Sequence, residues 1–501
     1  MNTEAFIKKL GKLNPKFVAV IEKILNQLPG VKKEIDKQID TVMKDLGEGL
    51  RPYSNDFSTY KRLPSEGIER ENILKDMKAI SEMEKDRWEQ GYVSGTVYHG
   101  DEEHISFLND VYSINSQTNP LHSDLFPSTS KYEAEIISMT AGMLGADNTE
   151  DEICGSISSG GTESILLAMK TYRDKAEKER GIKRPEMIVP VTAHAAFNKA
   201  AQYFNIKLRQ IPIGKDYRSD VKAIIRAINS NTIVIVASAP AFPHGVIDPI
   251  AELSAIALKK KIGLHVDACL GGFMLPWIKQ LGYDVPEFDF SLKGVTSMSA
   301  DTHKYGYAAK GSSVVLYRSI ELRRYQYFTI TDWPGGLYFS PTFAGSRSGA
   351  LSATCWASLV SMGEKGYLDA AKKIMATADI IKQGINNIQE LEVLGNPLWN
   401  ISFTSKELDI YRIMDYMTEN KWNLNGLHKP SCVHICCTLR HAQEGVPQKF
   451  LVDLQKAVEH VKNDPQKEGG MAPVYGMAAT LPLRGTISKL LKKYMDILYN
   501  V

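Results

Sequence analysis

This sequence predicts a mixed α/β fold, a mainly parallel sheet covered by helices with a smaller α/β part at the C-terminal end. Three observations predict it. Short β-rich runs alternate with helix-like stretches through the middle of the chain. After Gly363 to Gly366 the pattern shifts to one long helix-like segment and then to short strand-like pieces. The 501 residues, 43% of them hydrophobic and 24% charged, have ordinary globular composition and are enough chain for two or three domains around a large core.

From the N-terminus, Phe17 to Met43 carries apolar residues at helical spacing on either side of Pro29-Gly30, which reads as two amphipathic helices. Their polar faces mix both charges, so a core-facing or dimer-facing appendage fits better than a membrane-surface helix. Lys61 to Gln90 is again helical and strongly charged. The β-rich runs follow at Met187 to Thr192, Lys207 to Ile211, Thr232 to Ser238, Gly263 to Asp267, Val295 to Ser299 and Ser313 to Tyr317. Helix-like stretches at Ala195 to Phe204, Val221 to Ala227 and Ile250 to Lys261 separate four of them, the signature of parallel pairing. Ligands of such sheets collect beyond the carboxyl ends of the strands. The C-terminal part offers a helix over Tyr367 to Ile388 and strands near Trp399 to Phe403 and Cys432 to Leu439.

Charge and cysteine usage narrow the function. With 60 Lys and Arg against 58 Asp and Glu the net charge is +2, which lacks the electrostatic footprint of a nucleic-acid binder. Cys154, Cys269, Cys355, Cys432, Cys436 and Cys437 are too sparse for a disulfide scaffold and read as free thiols of a reducing compartment. No window has 18 consecutive apolar residues, and Met1 to Leu10 is charged where a signal peptide is apolar. A soluble cytoplasmic protein is expected, with peripheral membrane contact left open.

Three segments carry chemistry. Ser158-Ser159-Gly160-Gly161-Thr162 precedes a helical pattern from Glu163 to Arg180, and glycines opening a helix cradle a phosphate on backbone N–H groups. From Gly155 the stretch reads G-x-x-x-x-G-G-T, but Gly161 stands where a nucleotide P-loop needs lysine, which excludes ATP or GTP. Asp267 ends an apolar run and is placed to hold a cationic ring nitrogen; an Asp capping the next turn is the plainer alternative. Lys304, in Ser299-Ala300-Asp301-Thr302-His303-Lys304, becomes a Schiff-base former if burial lowers its pKa. Together these supply an amine, a carboxylate and a phosphate cup, the needs of pyridoxal 5′-phosphate (PLP). His194 adds a flat ring between cup and carboxylate in chain order. Cys432, His434 and Cys436 alternate as a buried strand does, and His99, Glu102, Glu103 and His104 miss the H-E-x-x-H spacing, so neither group is assigned a metal.

The ordered set SSGGTES, AHAAFNKA, HVDACLGGF and SADTHKYGYAAKGS resembles the fold-type I PLP enzymes. Within them it resembles the group of glutamate and aromatic amino-acid decarboxylases, and most closely the sphingosine 1-phosphate lyases. The resemblance runs from about Tyr98 to the C-terminus and includes VSGTVYHG, NPLHSDLFP, FPHGVID and FAGSRSGA. It implies Lys304 as the Schiff-base lysine, Asp267 as the pyridine partner and His194 as the stacking ring. It also implies that Gly161, Thr162 and His303 hold the cofactor phosphate, with Ser346 supplied by the neighbouring subunit of a homodimer. Tyr98 and Lys310 match positions that handle protons during cleavage, Asn119 and His122 match positions near the cofactor and the substrate phosphate, and Lys310 with His122 helps anchor that phosphate. Asn198 departs from the usual Asp, and Ala309 from the usual Pro before Lys310. Segments 1–57 (helical, without a membrane span), 58–118 (an arm reaching dimer and active site), 119–364 (large PLP-binding domain) and 365–501 (small domain) are the implied organisation. The implied reaction is retro-aldol cleavage of sphingosine 1-phosphate, or a related phosphorylated long-chain base, to a long-chain aldehyde and phosphoethanolamine. A PLP-dependent amino-acid decarboxylase, sharing the cofactor residues but breaking another bond, and an inactive binding scaffold are the alternatives; retention of Lys304 and Asp267 argues against the scaffold.

Overall fold

The computed structural model describes residues 52–53, 56–464 and 484–500; the helices expected over Phe17 to Met43 lie outside them. Three helices open the described chain: α1 (Arg70–Glu89), α2 (Glu102–Asn115, capped by the Asp101 side chain) and α3 (Pro127–Met143). Next come β1 (Cys154–Ser158), α4 (Gly161–Arg180), β2 (Glu186–Pro190), α5 (Ala196–Phe204) and β3 (Lys207–Ile211). They are followed by α6 (Val221–Ala227), β4 (Thr232–Ser238), α7 (Ile250–Lys260), β5 (Gly263–Asp267), α8 (Leu275–Gln280), β6 (Ser297–Ala300) and β7 (Ser313–Tyr317).

These strands form one seven-stranded sheet in the order β1-β7-β6-β5-β4-β2-β3. From β3 to β6 every neighbour is parallel, as the β–helix alternation requires, while β7 runs antiparallel to both β6 and β1. Strand β4 is a near-continuous apolar run because helices cover both faces and leave neither to water, while β5 buries Leu264 and Val266 on one face and His265 and Asp267 on the other. Two apolar cores result. One contains Leu264, Val266, Met298 and Leu316, and the other contains Ile165, Met169, Phe197 and Val236.

Beyond β7 the short α9 (Ile320–Arg324) leads into a β8 (Phe328–Ile330) and β9 (Tyr338–Ser340) hairpin with several exposed apolar side chains, among them Trp333, Leu337 and Phe339. Helix α10 (Gly349–Asn386) packs on α2 and α3 and continues into the C-terminal part, kinked at Gly363 where φ is +57°. An antiparallel sheet follows, in the order β10-β11-β13-β12, built from β10 (Glu392–Val393), β11 (Asn400–Thr404), β12 (Asn425–Leu427) and β13 (Cys432–Cys436). Helices α11 (Ile410–Glu419), between β11 and β12, and α12 (Val446–Asn463) pack against one another, and α13 (Arg484–Tyr499) ends the described chain. No helix among the described residues is long and apolar enough to cross a membrane.

Candidate active site

A cavity of about 410 Å³ opens beyond the carboxyl ends of the central strands, where a parallel sheet collects its ligands. Three strand ends supply its walls: β1 runs into Ser159, Gly160, Gly161 and Thr162, β5 ends in Asp267, and β6 leads to Asp301, His303 and Lys304. His194, from the loop after β2, completes it.

The phosphate cup is shaped by its glycines. Gly160 has φ +156°, a conformation L side chains rarely adopt, and it turns the chain into α4. At Gly161 a Cβ would lie 2.6 and 2.7 Å from the two Asp301 carboxylate oxygens and 2.8 Å from Cys269 Sγ, so only glycine fits. Glu163 takes the Ser159 amide at 2.7 Å and the Phe343 amide at 3.1 Å. The first amides of α4, which have no partner inside the helix, face the cavity with the positive end of its dipole.

Lys304 lies on the turn after β6, its ammonium 2.8 Å from Asp301 Oδ2. Burial is the largest single influence on this amine and pulls its pKa down, but Asp301, followed by Cys269 and Tyr98, outweighs it and holds the pKa above the ordinary lysine value. The expectation that burial lowers the Lys304 pKa is therefore corrected: a nearly buried carboxylate three residues earlier dominates. Asp301 in turn is held below the ordinary carboxylate value; burial pushes it up, yet the charges of Lys304 and His303 prevail. His303 Nδ1 meets the Ser312 carbonyl, and its Nε2 lies 3.9 Å from Asp301. Asp267 is buried and accepts the Cys269 amide at 3.1 Å. The His194 ring accepts the Ala196 amide on Nδ1, which leaves the proton on Nε2.

Tyr98 and Lys310 stand together at the margin. The Lys310 ammonium lies 4.7 Å over the Tyr98 ring and donates to the His303 carbonyl at 3.2 Å. Although Lys310 as a whole is exposed, desolvation of its ammonium, with the Lys304 charge second, lowers its pKa to about 8. Burial, with Cys436 next, raises the Tyr98 hydroxyl well above its usual range.

The structure thus brings Gly161, Thr162, His194, Asp267, His303 and Lys304 to one cavity. Within one chain Asn119, His122 and Ser346 do not line it. Asn119 Oδ1 instead accepts the Leu121 and Arg347 amides, at 3.1 and 3.3 Å, and His122 and Ser346 are exposed. Sequence reasoning missed Asp301 and Glu163. An acid three residues before the reactive lysine and a Glu at the third position of a helix opened by glycine are the signals that reveal them.

A pyridoxal-dependent decarboxylase conserved domain matches residues 58–406. Over 489 residues the chain is 47% identical to the sphingosine-1-phosphate lyase of Arabidopsis thaliana, a match spanning 96% of this chain and 89% of that protein. The chain belongs to the sphingosine-1-phosphate lyase family. Sphingosine-1-phosphate lyase 1 of Rattus norvegicus is 43% identical, over 95% of this chain and 84% of its own length. The solved structure of the Burkholderia pseudomallei lyase superposes with a TM-score of 0.84 at 42% identity, covering 90% of this chain and 99% of that one. Glutamate decarboxylase of Lactobacillus brevis, at 19% identity and a TM-score of 0.69 over 84% of this chain and 99% of its own, shares the fold. Membership in this lyase family makes PLP the cofactor, and the cavity fits it. The cup at Gly161 excludes any side chain, and Lys304 and Asp267 open on the same hollow.

Proposed function

We propose that this protein is a PLP-dependent aldehyde-lyase that cleaves sphingosine 1-phosphate, or a related phosphorylated long-chain base, to a long-chain aldehyde and phosphoethanolamine. The convergence of Lys304, Asp267 and the glycine cup on one cavity, in a chain of this lyase family, carries the reading. When bound, PLP supplies an aldehyde for an amine and an aromatic ring that accepts the electron pair of the broken carbon–carbon bond.

The protein's own residues do the rest. Lys304 provides the amine that anchors the cofactor, and Asp301 sets its proton state. Asp267 would hold the cofactor's ring nitrogen, and the ring of His194 would pack on the pyridine. Gly161, Thr162 and His303 hold the phosphate, helped by the α4 dipole. Lys310, with a pKa of about 8, holds or releases a proton at Nζ near neutral pH, and Tyr98 beneath it keeps that end partly dry. Asn119, His122 and Lys310 bind the substrate phosphate.

The same reading makes the enzyme a homodimer in which Ser346 of one chain completes the cup of the other. Exposed Trp333, Leu337 and Phe339 on the β8–β9 hairpin support this, because a monomer rarely leaves such a patch to water. The kink at Gly363 supports a division near residue 364 between a large PLP-binding domain and a small C-terminal one. Six free, buried thiols support a reducing, cytoplasmic setting.

Incubation with sphingosine 1-phosphate, glutamate and an aromatic amino acid tests the reaction. Long-chain aldehyde from the phosphorylated base alone is expected; carbon dioxide without aldehyde refutes it in favour of a decarboxylase. Borohydride treatment of the yellow holoprotein is expected to fix the cofactor on Lys304, and an adduct elsewhere contradicts the site. Sedimentation of the wild type and of Trp333→Glu/Leu337→Glu tests the dimer, which fails if the wild type is a monomer.

A further inference from the structure

Behind Asp267 a row of buried polar side chains runs along one face of the sheet. Strands β5 and β6 pair in parallel with His265 opposite Ser297 and Asp267 opposite Ser299, and the two-residue period puts all four on one face. His265, Ser297 and Ser299 are fully buried. Tyr172 Oη lies 2.6 Å from Ser297 Oγ, Ser297 Oγ lies 2.7 Å from His265 Nδ1, His265 Nε2 lies 3.3 Å from Ser299 Oγ, and Ser299 Oγ lies 3.5 Å from Asp267 Oδ1.

Each hydroxyl and the ring carry one mobile proton; Tyr172 Oη also meets Thr296 Oγ1 at 2.6 Å and Ser299 Oγ also receives the Cys269 thiol at 3.2 Å, and between Ser297 and Ser299 the row holds its protons in one of two directions. Burial lowers the His265 pKa to about 4, with Asp267 opposing only in part, so the ring is neutral and carries its proton on a single nitrogen. With the proton on Nε2, Tyr172 donates to Ser297, Ser297 to Nδ1, Nε2–H to Ser299, and Ser299 to the Asp267 carboxylate. With the proton on Nδ1 the row reverses, and the Ser299 hydroxyl turns from Asp267 to the ring. A carboxylate accepts only, so its charge selects the first direction. The Cys269 amide, at 3.1 Å, also donates to Oδ1. Donors thus gather on Oδ1, and Oδ2 is left for the cavity.

We infer that His265 is a positioning residue: as the Nε2–H tautomer, fixed by Ser297 and Tyr172, it turns the Ser299 hydroxyl onto Asp267 and holds that carboxylate in the orientation that receives the cofactor's ring nitrogen. The inference rests on the proposed role of Asp267 and assigns that residue a support running to the amino-terminal ends of the strands, where Tyr172 borders a second cavity of about 290 Å³.

Two measurements test it. Long-range ¹H–¹⁵N correlation on protein labelled with ¹⁵N-histidine, with the His265 signal assigned by its loss in His265→Gln, is expected to show the Nε2–H tautomer. In Ser299→Ala, which removes the acceptor of Nε2–H and leaves Ser297 to accept from Nδ1, the Nδ1–H form is expected to appear, and Ser297→Ala, which leaves Nδ1 unpaired, is expected to weaken PLP binding. The PLP dissociation constant, read by fluorescence quenching, is expected to rise about tenfold in Ser299→Ala and His265→Leu, the worth of one hydrogen bond to a charged group. His265→Gln, which returns a donor toward Ser299, is expected to recover most of that loss. Should His265→Leu fail to fold, the two serine variants decide alone. An Nδ1–H tautomer in the wild type, or wild-type cofactor affinity in both serine variants, overturns the proposal. Wild-type affinity in Asp267→Asn instead overturns the role given to Asp267 and takes the proposal with it.

Discussion

Asp301→Asn keeps the shape of the side chain that grips Lys304 and removes its charge. Burial, the strongest influence on the Lys304 amine, lowers its pKa, and Asp301 at 2.8 Å is the first of the groups that raise it above the ordinary 10.5. Without that charge only the smaller contributions of Cys269 and Tyr98 oppose burial, and the pKa is expected to fall. At an effective dielectric of about 20, a unit charge at this distance contributes on the order of 6 kcal/mol, or roughly four pH units; the remaining amide dipole returns part of it. Stopped-flow uptake of PLP by apoprotein, followed from about pH 6 to pH 10 with borohydride trapping at Lys304, reads the change because only the neutral amine attacks the aldehyde. In the wild type the rate is expected to climb across the whole window, whereas the variant levels off inside it. A wild-type plateau at lower pH than the variant's, or identical profiles, refutes the assignment. Linkage gives a second readout. The raised Lys304 pKa contributes stability that is present below 10.5 and lost as pH rises through its folded value, and the lowered Asp301 pKa contributes stability present above 3.8 and lost as pH falls. The variant loses both contributions.

Gly161→Ala drives a methyl group into the Asp301 carboxylate and Cys269, and is expected to cost about 1–3 kcal/mol in denaturant unfolding and to weaken PLP binding; wild-type values for both refute the close approach. Lys310→Met is expected to slow cleavage about 100-fold or more and to remove the limb of the pH–rate profile near pH 8, while Lys310→Arg keeps the charge without restoring that limb. Glu186, on β2, is lowered to about 2 chiefly by its hydrogen bond from Arg209, so its stabilisation is present above 4.5 and lost as pH falls toward 2. The partners Lys207 and Arg209 are largely exposed, which limits the effect to about 1–2 kcal/mol; Glu186→Gln is expected to show that deficit in urea at pH 6 and to lose it near pH 2.

The sequence marks β3, β4, β5 and β7 to the residue: clustered β-branched residues carry the signal in β4 and β7, whereas β3 and β5 are set off by the helical stretches beside them. Strand β1, Cys-Gly-Ser-Ile-Ser, carries no such signal; it is a strand because antiparallel β7 pairs with it and α3 and α4 cover it, which is a tertiary effect. Helix α10 is two helical runs that meet at Gly363, whose backbone is non-helical, so the expected start at Tyr367 falls just after that break. The cavity-lining residues were legible because each follows a strand end. Asp301 was not, because its importance lies in where its carboxylate points on the turn, which composition does not encode. Asn119, His122 and Ser346 entered through family resemblance alone, and within one chain their surroundings give no independent signal.

Tyr98 is carried by the C-terminal sheet although it precedes the large sheet in the chain: the Gly95 amide donates to the Cys436 carbonyl at 2.9 Å, and the Leu439 amide to the Tyr98 carbonyl at 3.2 Å. Tyr305, next to Lys304, donates to the Cys437 carbonyl at 2.6 Å. The segment bearing the amine and the segment bearing its aromatic neighbour are thus stitched to the end of β13 and the residues that follow it. A gene cut before that strand would yield a product able to form most of its larger sheet yet lacking the seam that brings both segments to the reaction. Recombination between relatives is therefore tolerated only when that seam travels with them as one unit.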